Sequence, residues 1–85
     1  MGHAMALSSR LDSIRSIRSA MDHLQRDVKN CDLDNIIGMA EYVGMVMGLH
    51  IEAHGEKGEN DMFKFKGRLD NINSELIKNC KLIKN

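Results

Sequence analysis

Apolar side chains return every three or four positions along the first third of this chain, at Leu7, Leu11, Ile14, Ile17, Met21, Leu24, Val28 and Cys31. Their mean spacing is close to the roughly 3.5 residues of a bundle seam, so they line one stripe of an α-helix. The last third repeats the pattern with Met62, Phe65, Leu69, Ile72, Leu76 and Ile83, and Asn79 or Cys80 fills the remaining gap. No proline interrupts either run, and aromatic residues make up only 4 % of the chain. Sheets lean on aromatic and β-branched side chains, so the fold class is all-α.

Local signals set the expected boundaries. Ser9 with Asp12 three positions on resembles a capping box with an acid in the usual Glu/Gln place. Asn60 or Asp61 is placed to cap the last helix, and Lys78, Lys81 and Lys84 suit the negative end of its dipole. The stretch His54-Gly55-Glu56-Lys57-Gly58-Glu59-Asn60 joins two glycines to a cluster of charges and reads as a loop. Helices are therefore expected at about 8–30, 33–54 and 60–83, within a single helical domain over 6–85. Met1-Gly2-His3-Ala4-Met5 reads as a cloning scar before a second start and is set aside, His3 included.

The expected architecture is an up-down-up three-helix bundle. It depends on a break between Lys29 and Asn35, a joint with weak helix formers and N-cap residue types but no Gly or Pro. Without that break, residues 9–53 form one rod with the last helix folded back. Such a hairpin exposes enough apolar surface to dimerise into a four-helix bundle.

The middle segment, Asp32 to Ala53, differs in kind. Around a helical wheel, Ile36, Met39, Ala40, Tyr42, Val43, Val46, Met47, Leu49 and Ile51 cover more than half the circumference. A helix of that composition is expected at the centre, covered from two sides by its own chain or a second copy. Gly44 and Gly48, with Ala40 a turn earlier, form a ridge of small residues. A helical glycine is about 1 kcal/mol less favourable than alanine, so the pair implies a close approach, within the chain or between chains. Met45 lies on the polar side between Glu41 and Glu52, near Ile37. The candidate interaction surface is therefore Ile37, Gly44, Met45 and Gly48.

Composition narrows the activity. Eighty-five residues make one small domain with a thin core, which leaves little room for a deep catalytic cleft. No nucleophile elbow and no Gly-rich phosphate loop occurs, so an enzyme is not expected and no cofactor is indicated. Twelve bases balance twelve acids, which weakens the case for nucleic acid. The balance is uneven along the chain: residues 30–61 hold seven acids and one base, Lys57. Basic outer segments around an acidic middle fit self-assembly. No apolar run is read as long enough to span a bilayer, so no membrane partner is expected.

The expected function is a small protein–protein interaction protein of regulator, inhibitor or chaperone type. It presents a helical face to a larger protein and forms a homo-oligomer. The first alternative is a ligand- or metal-binding module using His50 and His54, which project from one helix face. The second is a nucleic-acid-binding regulator using the Lys-rich last helix, with Lys64, Lys66, Arg68 and Lys78 among its bases. Cys31 and Cys80 form no C-x-x-C and follow no signal-like segment, so a reducing cytoplasm is expected. Antiparallel packing brings both to one end of the bundle, where two buried thiols are favoured over a disulfide.

Overall fold

The computed structural model describes residues 9–80. Residues 1–5, Leu7, Lys81, Ile83 and Lys84, named in the sequence reading, lie outside them. Helix α1 spans Arg10–Lys29. Its start is built as the sequence suggests: Ser9 is extended and its Oγ accepts the Asp12 amide at 3.0 Å, satisfying one orphan donor of the first turn. The stripe Ile17, Ala20, Met21, Leu24 and Val28 is buried. Each fully buried side chain of the Ile, Met or Val type contributes about 1.5–3 kcal/mol of hydrophobic free energy.

The joint breaks, so the unbroken rod does not form. The Cys31 amide bonds to the Val28 carbonyl and the Asp32 amide to the Asp27 carbonyl, both at 3.1 Å. This pair of bonds closes a Schellman turn with Cys31 in the left-handed region, φ 51°, where glycine is usual. Asp32 then opens the next helix. Its side chain accepts from the Asn35 amide at 3.5 Å and from Asn35 Nδ2 at 2.7 Å.

Helix α2 runs from Leu33 to Cys80. The loop expected over 54–60 is replaced by one non-helical residue, Gly55, with φ 59° and ψ −133°. A straight helix of 48 residues would measure about 72 Å, yet the longest dimension of the molecule is 45 Å. The ends also meet, because Cys31 and Cys80 have Cα atoms 5.6 Å apart. Helix α2 therefore doubles back at Gly55 into two arms, 33–54 and 56–80. Glu56, Lys57 and Glu59 carry loop-like charge but are good helix formers, and acids suit the first turn of a helix. Asn60 and Asp61 consequently sit inside the second arm and cap nothing. Gly58 explains the tightness of the reversal: a Cβ there would lie 2.9 Å from the His50 carbonyl oxygen.

The fold is all-α, and the described residues form two helices, of 20 and 48 residues, in place of three separated ones. The core combines the α1 stripe with Ile36 and Val43 of the first arm and Met62, Phe65 and Ile72 of the second. The 33–54 arm is thus not the covered central element its composition suggested. It presents one side to the core and leaves the other open. By length and composition α2 also contains a stretch apolar enough to cross a membrane, 17 % of it buried. The sequence reading found no run of that kind. Cys31 and Cys80 form a disulfide, correcting the favoured pair of thiols.

Candidate functional site

At about 100° per residue, Gly44, Ile37, Gly48, Glu41, Asp34, Glu52 and Met45 fall within one third of the 33–54 arm's circumference. The structure leaves this sector open. Ile37 is 60 % exposed and Met45 54 % exposed, and Leu33, Tyr42 and Leu49 of the same arm are also exposed. A Cβ added at Gly38, Gly44 or Gly48 would meet nothing within 4 Å. Close packing within the chain is therefore not what the Gly44–Gly48 ridge serves. The four predicted surface residues, Ile37, Gly44, Met45 and Gly48, lie together on one uncovered face.

The face continues into a groove between the two arms. Met47 and Ile51 form one wall; Met62, Phe63 and Leu69 form the other, with Glu59 and Lys66 at the rim. The groove holds about 500 Å³ and is broadly open to solvent. Phe63, 70 % exposed, is its most accessible aromatic. Met47 is half-buried and Met62 buried, and both line the groove.

On the opposite side of the same arm lies a buried polar cluster. His50 is 1 % exposed and Asp61 2 %. Arg10 grips the Asp61 carboxylate through Nε and Nη2, each at 2.7 Å. His50 Nε2 lies 2.8 Å from Asp61 Oδ2, and His50 Nδ1 lies 2.7 Å from Ser13 Oγ. The Arg10 hydrogen bonds hold the Asp61 carboxyl well below the usual carboxylate range; the His50 hydrogen bond adds to this and burial opposes it. An ionised Asp61 only accepts, so His50 donates from Nε2, and in the neutral imidazole Nδ1 is the nitrogen left to accept the Ser13 hydroxyl. Both ring nitrogens of His50 are engaged, and the His54 ring lies tilted beside it at 4.8 Å without joining the chain of bonds. Among the described residues no group of three or more His, Cys, Asp or Glu is placed to hold a metal ion.

Ser13, His50 and Asp61 share the hydrogen-bond order of a serine nucleophile, base and orienting acid. Two features set the cluster apart from such a site. The Ser13 amide is bonded to the Ser9 carbonyl at 3.0 Å, so it offers no donor to an oxyanion. The groove, moreover, is lined by other residues. The arrangement fastens α1 to both arms beside the Gly55 reversal. The sequence reading singled out His50 only as a candidate ligand beside His54 and missed its partners, although a polar residue interrupts the apolar side of the arm there. The same signal was present twice more: Ser13 shares the α1 stripe with Ile17, Ala20 and Leu24, and Asp61 shares the second-arm stripe with Phe65 and Ile72.

The basic residues of the second arm are partly engaged within the chain. Arg68 pairs with Asp22 and donates to Gln25 Oε1 at 3.0 Å, and Lys66 pairs with Asp70 at 3.3 Å. Compared with known proteins, the chain matches no family model, no curated protein and no solved structure.

Proposed function

We propose that this chain is a small non-enzymatic protein–protein interaction protein, of regulator, inhibitor or chaperone type. In this reading it is an up-down-up bundle of three helical segments that acts through the open face of its 33–54 arm. One observation carries the proposal: Ile37 and Met45 stand exposed beside Gly44 and Gly48, above which there is open space. Desolvating such a patch is the usual source of affinity at helical interfaces, with charged rims setting orientation. Replacing Met45 with Lys is expected to abolish association and leave the helical circular dichroism unchanged. Solution molar mass and co-purification with the native partner provide the readout; unchanged association would remove the proposal.

A second reading rests on the inter-arm groove, whose volume and apolar walls suit a small apolar ligand. It moves the ligand-binding alternative away from His50 and His54, whose side of the arm is occupied by the Ser13–Asp61 cluster. Native mass spectrometry of freshly purified protein separates the readings, because a stoichiometric small molecule would favour the second. A homo-oligomer remains part of the first reading, as does a cytoplasmic setting with no membrane or nucleic-acid partner. The Cys31–Cys80 bond bears on the setting, since disulfides persist where thiols are oxidised. Thiol trapping in intact cells tests it: free thiols fit the cytoplasm, and a closed bond fits an oxidising compartment.

A further inference from the structure

We infer that the occupant of the open face is a basic amphipathic helix of a partner protein; this rests on the interaction-face reading above and names its partner's chemistry. Asp34, Glu41 and Glu52 run down the middle of the open sector, with Ile37, Gly44 and Gly48 on one flank and Met45 on the other. All three acids are exposed, and none forms an ion pair with any described residue. The whole 33–56 stretch contains no Lys or Arg. Five exposed acids, with Glu56 and Glu59 continuing the series past the reversal, therefore border an apolar surface; the cation lining its groove, Lys66, is paired with Asp70.

This pattern discriminates between occupants. A second copy meeting the first about a two-fold axis would present the same patch to itself. The acid row lies at the centre of the sector, so such a contact brings carboxylates against carboxylates as water leaves. An anionic lipid surface is repelled for the same reason. A helix carrying apolar residues at i, i+3, i+4 and i+7, flanked by Lys or Arg, meets both requirements at once. Its apolar stripe fills the shelf over Gly44 and Gly48, where nothing hinders close approach, and its cations reach Asp34, Glu41 and Glu52. Met45 and Met47 add side chains that adapt to different apolar contours.

The test uses the full disulfide-bonded chain and two synthetic peptides of about 20 residues, long enough to span roughly 30 Å as helices. Both carry the same Leu stripe; one has Lys on its flanks and the other Glu. Fluorescence anisotropy is expected to show saturable binding of the Lys peptide only, weakened about tenfold between low and high salt. The double variant Glu41→Lys/Glu52→Lys is expected to lose at least about tenfold in affinity for the Lys peptide. Equal binding of both peptides, or unchanged affinity in the double variant, overturns the basic-helix inference. If Met45→Lys still abolishes binding in that case, the interaction-face reading survives alone. A dimer that is lost in Met45→Lys assigns the face to a second copy. Partition onto phosphatidylcholine vesicles that is lost in the same variant assigns it to lipid. Either outcome overturns the inference, and if neither peptide binds and Met45→Lys changes nothing, both ideas fall.

Discussion

Asp61 shows how one buried carboxylate becomes tolerable in a thin core. Its two oxygens accept three hydrogen bonds, two from Arg10 and one from His50, so the charge is both paired and solvated by donors. The paired donors hold its carboxyl below the ordinary range, which makes it a source of pH-dependent stability. For a depressed acid the contribution is complete above the unfolded pKa, about 4, and is lost as pH falls further toward the folded value. Urea denaturation midpoints are therefore expected to fall more steeply below about pH 4 in the native chain than in Asp61→Asn. Parallel curves would exclude Asp61 as the cause. His50 belongs to the same unit: His50→Ala empties a buried site and strands the Ser13 hydroxyl, with an expected loss of about 3 kcal/mol in urea unfolding. A loss below about 0.5 kcal/mol, the scale of an ordinary surface substitution, would show that the cluster fastens nothing.

At the scale of elements, glycines of one helix have opposite roles. Gly44 and Gly48 stand in open helical positions, where alanine adds helix propensity and meets no neighbour. Each Gly→Ala change there is expected to stabilise the isolated chain by about 0.5–1 kcal/mol. If the shelf admits a partner's backbone, the same changes weaken association. Gly58→Ala is expected to destabilise by about 1–3 kcal/mol, because its Cβ meets the His50 and Ile51 backbone of the facing arm. Thermal unfolding of the three single variants checks the signs; stabilisation by Gly58→Ala would contradict the close approach at the reversal. These elements also show what the sequence makes legible. The apolar spacing located α1, Ser9 marked its start, and the joint after Lys29 was visible as a break. The exposed face was visible in outline because Met45 interrupts a polar arc. The loop was misjudged because Glu56, Lys57 and Glu59 have the polarity of a loop and the propensity of a helix, and only the backbone at Gly55 decides between them. The central position expected for the 33–54 arm failed for a different reason. Apolar composition states how much surface asks to be covered, and it is silent on whether this chain or another covers it.

The whole molecule is fastened at both ends with an apolar layer between. Beside the Gly55 reversal, Arg10 and Ser13 of α1 hold Asp61 and His50 of the two arms. At the other end, the disulfide ties the exit of α1 to the last turn of α2. Small domains commonly need such additions because their cores alone are marginal. The bond joins residues 49 apart, and closing a loop of that length removes unfolded-chain entropy equivalent to about 4 kcal/mol. Cys31 also occupies a left-handed position that normally costs a non-glycine residue about 1–2 kcal/mol, a cost the bond offsets. Reduction is accordingly expected to lower the stability of the chain by up to about 4 kcal/mol in urea unfolding. The effect should also be localised. Hydrogen exchange in the reduced chain is expected to accelerate at 28–36 and over the last turns before Cys80, while amides near His50 and Asp61 keep their protection. The open face lies on the arm that begins within the loosened region, so reduction should weaken binding at its Asp34–Ile37 end before it affects Met45 and Gly48. Uniform acceleration of exchange along all three helical segments would instead make the two fastenings one cooperative unit, with no local response to the redox state.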